Sequence, residues 1–239
     1  MSSKTPTSDY VNADSNYLHA NPTWHVEDSA WKATQILKLI QRNNLHPATV
    51  VEIGCGAGEI LNQLLQRMED KTTRFMGYEI SPDAFKLAQT RQQERLHFFQ
   101  HDLLQTNDHY DLLLMIDVFE HVDDYLGFVK KAGEKATYKI YHIPLDMSAF
   151  SVLTNYPAGA RRNVGHLHYF MKDTALATLT DAGQEVLDWF YTPGAFERNN
   201  KGLTFGGKIV QLFRRITYKI KPDLAVKAFG GFSLIVLTR

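Results

Sequence analysis

Three glycines alternate in the stretch Val50-Val51-Glu52-Ile53-Gly54-Cys55-Gly56-Ala57-Gly58-Glu59. An apolar, β-branched run leads straight into them, and a helical pattern begins after them. Glycine has no Cβ, so it lets the backbone turn tightly and approach a ligand closely. The N–H groups that open the next helix are then free to meet ligand oxygens such as a carboxylate. Spacing narrows the chemistry. A dinucleotide fingerprint reads G-x-G-x-x-G, whereas the third glycine here comes one place earlier, and no Gly-Lys-Ser/Thr follows as a P-loop needs. The plain alternative is a tight strand-to-helix turn that holds nothing.

Acidic residues close the apolar runs that follow. Glu79 ends Phe75-Met76-Gly77-Tyr78-Glu79-Ile80, where a carboxylate can accept from both hydroxyls of a ribose. Asp102 follows Phe98-Phe99-Gln100-His101 and can accept from an exocyclic amine of adenine, while Leu103 offers a backbone N–H. An Asp that merely caps a turn is the competing account. A fourth run, Leu112–Ile116, exits into Asp117-Val118-Phe119-Glu120-His121-Val122. His121, beside that exit, is the first candidate for a general base, needed only if the attacking atom must lose a proton. His142, His166, His168 and Tyr169 are further candidates.

Positioning these side chains takes alternating strands and helices. Strands are expected over 49–53, 74–80, 96–100, 110–117, 137–143, 185–191 and 232–238, and helices over 59–69, 83–94, 124–134 and 172–182. Val26–Arg42 carries Ala30, Ala33, Leu37 and Ile40 at helical spacing and should pack on the sheet. That alternation predicts a mostly parallel sheet with helices on both faces. Every acid above then sits at a strand's carboxyl end, so all converge on one cleft. Two segments break the pattern. One, 144–170, is interrupted by prolines and glycines; the other, 195–230, includes a helical stretch at 208–220. Its Ile209, Leu212, Phe213 and Ile216 suggest one buried face.

Glu52-x-Gly54-x-Gly56-x-Gly58 resembles motif I of the class I S-adenosylmethionine-dependent methyltransferases, and D-V-F-E-H-V looks like their small-molecule branch. The resemblance spans about residues 26–195. It implies a doubly wound Rossmann-like α/β sheet of seven mostly parallel strands in the order 3-2-1-4-5-7-6. S-adenosylmethionine is the implied cofactor, contacted by Glu52, Gly54, Cys55, Gly56, Gly58, Glu79, Ile80, Asp102, Leu103, Asp117 and Val118. Gly165-His166-Leu167-His168-Tyr169-Phe170 resembles a segment that borders the substrate. Glu120, His166, His168 and Tyr169 are therefore expected to bind the acceptor, with His121 as catalytic residue. Tyr156, Arg161 and Arg162 suggest a lid for an anionic molecule.

Composition sets the remaining bounds. With 239 residues, one domain over 26–239 is expected, preceded by a segment 1–25 whose Tyr17, His19, Trp24 and His25 suit a cover over the cofactor. The 26 basic and 26 acidic residues balance, which argues against a nucleic-acid surface. Cys55 is the sole cysteine, so no disulfide framework or cysteine-based zinc site is expected, and no metal. A cytoplasmic setting follows, with no apolar run near the ~18–20 residues of a membrane span. Three alternatives stay open: an RNA-modifying methyltransferase, a non-catalytic cofactor-binding module, and an NAD enzyme disfavoured by the glycine spacing.

Overall fold

Parallel strands need crossover helices, which bury both faces of the sheet and favour continuous apolar runs over alternating ones. Leu112-Leu113-Leu114-Met115-Ile116 is such a run, and all five side chains are buried. The computed structural model describes residues 26–197 and 205–239. The expected cofactor cover at 1–25 and the basic residues Arg198 and Lys201 lie outside the described residues.

Seven strands form: β1 Thr49–Ile53, β2 Arg74–Tyr78, β3 Leu96–Phe99, β4 Tyr110–Ile116, β5 Ala136–Pro144, β6 Val186–Thr192 and β7 Ser233–Thr238. Their order is β3-β2-β1-β4-β5-β7-β6. β7 runs antiparallel to β5 and β6, while the other pairs are parallel. The order reverses between β1 and β4, which opens a crevice at their carboxyl ends.

Each face of the sheet has its own apolar layer. Val50, Phe75, Leu112, Leu114, Ile140 and Ile235 meet Ala33, Ile36, Leu39 from α1 (Val26–Arg42) and Leu61, Leu64 from α2 (Glu59–Arg67). Ala88 of α3 (Pro82–Gln89) completes this layer. On the opposite face Val51, Leu113, Met115, Tyr141 and Val236 pack beneath α4 (Tyr125–Gly133) and later helices. Neighbouring residues of β4 thus serve opposite layers, as period-two side chains must.

The structure corrects two local expectations. On α1 the buried face is Ser29, Ala33, Ile36 and Ile40; Ala30 is exposed and Leu37 only half-buried. Segment 144–170, despite the prolines and glycines that interrupt it, folds into α5 (Ala149–Leu153) and α6 (Tyr156–Asn163). A capping box starts α5: Ser151 N–H donates to Ser148 Oγ at 3.0 Å, and Ser148 N–H donates to Ser151 Oγ at 2.7 Å. Past α7 (Lys172–Asp181) and α8 (Gly194–Glu197) come α9 (Phe205–Ile220) and α10 (Pro222–Phe229).

On α9 the expected burial is reversed. Ile209, Leu212, Phe213 and Ile216 are 42%, 56%, 54% and 47% exposed. The polar side faces the protein instead. Gln211 Nε2 donates to the Ala195 carbonyl at 2.8 Å, Arg214 Nη2 to that of Phe229 at 2.8 Å, and Tyr218 OH to that of Tyr191 at 3.2 Å. The carbonyls of Ala195 in α8, Phe229 at the end of α10 and Tyr191 in β6 need donors, and this face supplies them. Among the described residues, no helix is long and apolar enough to cross a membrane.

Candidate active site

A cavity of about 800 Å³ opens at the switch point between β1 and β4. That volume falls in the range of small-molecule and cofactor pockets, ~300–1,000 Å³.

One end is built by the loop from β1 to α2. Gly54, Gly56 and Gly58 all have positive φ, at 66°, 53° and 76°. At Gly58 an added Cβ would sit 2.5 Å from Cε1 of Phe98, so both conformation and packing demand glycine. Gly58 shapes the turn from below and does not line the cavity, unlike Glu52, Gly54, Cys55 and Gly56.

Glu79 is buried where β2 ends, yet it lines the cavity. Its Oε2 accepts from Gly56 N–H at 2.9 Å and its Oε1 from Ser81 N–H at 2.7 Å, tying the glycine loop to the next strand. Burial pushes its pKa up, while the backbone donors of Ser81, Gly56 and Ile80 oppose that rise. Beside it Ile80 is 43% exposed and offers an apolar wall. Asp102 and Leu103 continue the wall; Asp102 Oδ1 also accepts from Leu104 N–H at 2.9 Å, capping a one-turn helix at Leu103–Gln105.

Glu52 lies at the cavity floor, 1% exposed, and its Oε2 has no hydrogen-bond partner among the described residues. Desolvation raises its pKa well above the usual carboxylate value, against the lowering field of Lys32. Burial, then the Glu52 and Glu79 charges, push the neighbouring Cys55 thiol up as well.

Asp117 has φ 55°, a left-handed conformation that a non-glycine residue adopts only where its surroundings hold it. Lys32 Nζ of α1 lies 2.7 Å from its Oδ2 and His142 Nδ1 of β5 lies 2.6 Å from its Oδ1. His142 Nε2 in turn meets Thr192 Oγ1 at 2.9 Å. Burial disfavours ionisation of Asp117, but the charges of His142 and Lys32 outweigh it and hold its carboxyl well below the usual range. Asp117 thus ties α1 and β5 to the exit of β4 through charge, beside Val118 on the cavity wall. Lys32 was not singled out in the sequence, because on a helix a lysine reads as surface.

At the other end, the one-turn helix Phe119–His121 meets the segment before α7. Leu167 and His168 N–H groups donate to the Glu120 carbonyl at 2.8 and 3.2 Å. His121 and His166 line the cavity with their rings 4.9 Å apart. Three expected acceptor residues do not line it. Glu120 is fully buried beneath; His168 Nε2 is held by the Val122 carbonyl at 2.9 Å; Tyr169 OH donates to the Pro157 and His166 carbonyls at 3.0 and 3.1 Å. These contacts pin the segment that carries His166. Arg161 and Arg162 are exposed and away from the cavity; Arg214 of α9 supplies a cation there instead, alongside Tyr156, Asp146 and Phe150. Only folding reveals that, since Arg214 sits among several basic residues in the chain.

A glycine cradle and a strand-end carboxylate at the switch point of a doubly wound sheet define an α/β enzyme class that binds a nucleoside cofactor. Residues 25–188 match the methyltransferase domain family, and the chain belongs to it. No curated protein matches the chain in sequence. Solved structures share its fold. Magnesium protoporphyrin IX methyltransferase from Synechocystis PCC 6803, with bound S-adenosylhomocysteine, is 17% identical with TM-score 0.58, over 97% of this chain and 90% of that one. N-methyltransferase NodS from Bradyrhizobium japonicum WM9, also with S-adenosylhomocysteine, is 17% identical with TM-score 0.56, over 98% and 95%. The plantazolicin methyltransferase BpumL is 13% identical with TM-score 0.62, over 98% and 93%.

Proposed function

We propose that the protein transfers a methyl group from S-adenosylmethionine to a small polar or anionic acceptor in the cytoplasm. The observation that carries this reading is one cavity with two chemically different ends. Its cofactor end joins the glycine loop, Glu79, Ile80 and Asp102; its acceptor end joins His121, His166, Asp146 and Arg214. Similar folds of NodS, BpumL and the protoporphyrin enzyme, crystallised with S-adenosylhomocysteine, support the cofactor. The residues fit it. Glu52, with one unpartnered buried oxygen, suits the cationic amino group, and Glu79 suits the ribose hydroxyls. Ile80 and Leu103 suit the faces of adenine, with Asp102 at its amine. When bound, S-adenosylmethionine supplies an activated methyl group on its sulfonium sulfur.

The chain's own work is alignment, dehydration and polarisation. Holding two reactants in line contributes roughly 7–11 kcal/mol to lowering such a barrier. Segments 144–170 and 195–230 both contribute to the acceptor end and would select the acceptor. Arg214 stays a cation there, although burial lowers its pKa, and its charge favours an anionic group. The sole cysteine, buried at the cofactor end, suits a reducing compartment. Calorimetry with S-adenosylhomocysteine tests the reading: micromolar binding, on the order of 7–8 kcal/mol, is expected. Tight NAD binding without binding of either sulfur nucleoside would sink it.

A further inference from the structure

Glu120 is the most exceptional polar residue outside the cofactor end. It is 0% exposed, and neither carboxylate oxygen has a hydrogen-bond partner among the described residues. Burying such a group as an unpaired charge is expensive, so it carries either a proton or a compensating cation. Its neighbours are two imidazoles. One donor atom from each of Glu120, His121 and His166 lies within 4.8 Å of the others, and His121 Nε2 is 3.9 Å from Glu120 Oε1.

Both rings are oriented from behind. His166 Nδ1 meets Asp146 Oδ2 at 2.5 Å, which leaves its Nε2 for another partner. His121 Nδ1 meets the Gly165 carbonyl at 3.2 Å. Metal-binding histidines are held in this way, one nitrogen on a carboxylate or carbonyl and the other on the ion. Two imidazoles and one carboxylate form a set suited to divalent first-row transition metals, with coordination positions left open. Metal–nitrogen bonds of ~2.0–2.1 Å put donors about 3.3 Å apart, so side chains at the observed spacing need to close by up to about 1.5 Å.

We propose that Glu120, His121 and His166 form a site for one divalent transition-metal ion, with Asp146 orienting His166. Because His121 and His166 line the cavity, the open coordination positions face the acceptor end. The sequence did not suggest it, since 44 residues separate His121 from the Gly165 carbonyl that aims it.

The test is metal binding, independent of methyl transfer. Chelator-treated full-length protein is dialysed against Zn²⁺ or Mn²⁺ and the bound metal counted by elemental analysis. One equivalent is expected. Glu120→Gln and His166→Ala should each weaken it at least tenfold, and Asp146→Asn about 10- to 100-fold. Affinity for S-adenosylhomocysteine within twofold of wild type certifies the fold of each variant. No bound metal, or binding that all three variants leave intact, overturns the proposal. Failure of nucleoside binding with metal binding intact would instead count against the methyltransfer reading.

The outward face of α9 carries a second inference independently. Ile209, Leu212, Phe213, Ile216 and Ile220 form a stripe at helical spacing, each at least 42% exposed. Lys208, Arg215 and Lys219, all exposed, run along one edge of it. From residue 205 to 227 there are six basic residues and one acid, Asp223. An apolar stripe edged by cations matches the boundary of an anionic bilayer, where the stripe enters the acyl region and the cations meet headgroups.

We infer that α9 docks on an anionic membrane surface. Cosedimentation should show binding to phosphatidylcholine vesicles containing phosphatidylglycerol, weaker at high salt and at least tenfold weaker for pure phosphatidylcholine. The double variant Leu212→Glu, Phe213→Glu should lose it at unchanged S-adenosylhomocysteine affinity. Absence of vesicle binding overturns the inference. So does a dimer, detected by sedimentation, that the same variant dissociates, because a second copy would then be the occupant.

Discussion

Replacing Glu79 with alanine should damage the empty protein as well as cofactor binding. Its carboxylate is 6% exposed and accepts backbone N–H groups of Gly56 and Ser81 at 2.9 and 2.7 Å. Hydrogen bonds to a charged acceptor contribute about 1.5–3 kcal/mol each. The two are partly offset, because the substitution also removes the cost of desolvating the carboxylate, the same burial that raises its pKa. A net loss of about 2–3 kcal/mol remains. For a domain of this size ~1 kcal/mol moves Tm by about 2–4 °C, so ligand-free Tm should fall by roughly 4–12 °C. Read from the chain alone, a strand-end acid facing a cleft suggests almost no change. S-adenosylhomocysteine affinity should fall by a further ~1.5–3 kcal/mol, roughly 10- to 150-fold. Scanning calorimetry without ligand gives the first quantity and titration calorimetry the second. Glu79→Gln, which keeps one accepting oxygen, should lie between. A ligand-free Tm within a degree of wild type would refute the tie between Glu79 and the glycine loop. Wild-type affinity in the folded variant would put the ribose elsewhere.

Gly58→Ala combines a positive φ with a Cβ 2.5 Å from the buried Phe98 ring, so about 2–5 kcal/mol of stability should be lost. Adding Phe98→Leu should return part of it, and a melting curve identical to wild type would exclude the clash. Burial and the neighbouring Glu52 and Glu79 raise the Cys55 thiol, so native protein at pH 8 should be alkylated by iodoacetamide on the order of tenfold slower than unfolded protein; equal rates would contradict a neutral, shielded thiol. His142 and Lys32 depress Asp117, so its contribution is present above the unfolded carboxylate value, about 3.9, and is lost as pH falls toward the folded one. The stability gap between wild type and Asp117→Asn, about 2–3 kcal/mol at neutral pH, should therefore close only below about pH 4. A gap constant from pH 7 to pH 3 would show that the charge is irrelevant.

Local order along the chain determined the sheet and the end of the cavity that carries the glycine loop. Apolar runs ending in Gly54, Glu79, Asp102 and Asp117 recur once per strand, and a parallel sheet puts successive strand ends on one edge. Strand order followed from the family resemblance. Those residues needed no long-range information, because each is placed by the strand just before it. The end lined by His121 and His166 was different. His168 and Tyr169 share a motif with His166, yet their polar atoms face backbone carbonyls while His166 faces Asp146, 20 residues away. Lys32 reaches Asp117 across the chain from α1, and Arg214 enters the cavity from a helix that periodicity oriented the wrong way round. An amphipathic pattern states that two faces differ; which one meets the protein depends on what the protein offers. Beside α9 it offers the carbonyls of Ala195 in α8 and Phe229 at the end of α10, so the polar face of α9 turned inward and its apolar stripe was left outside. Periodicity is a property of one segment, whereas burial is a property of two surfaces, and only the tertiary structure supplies the second.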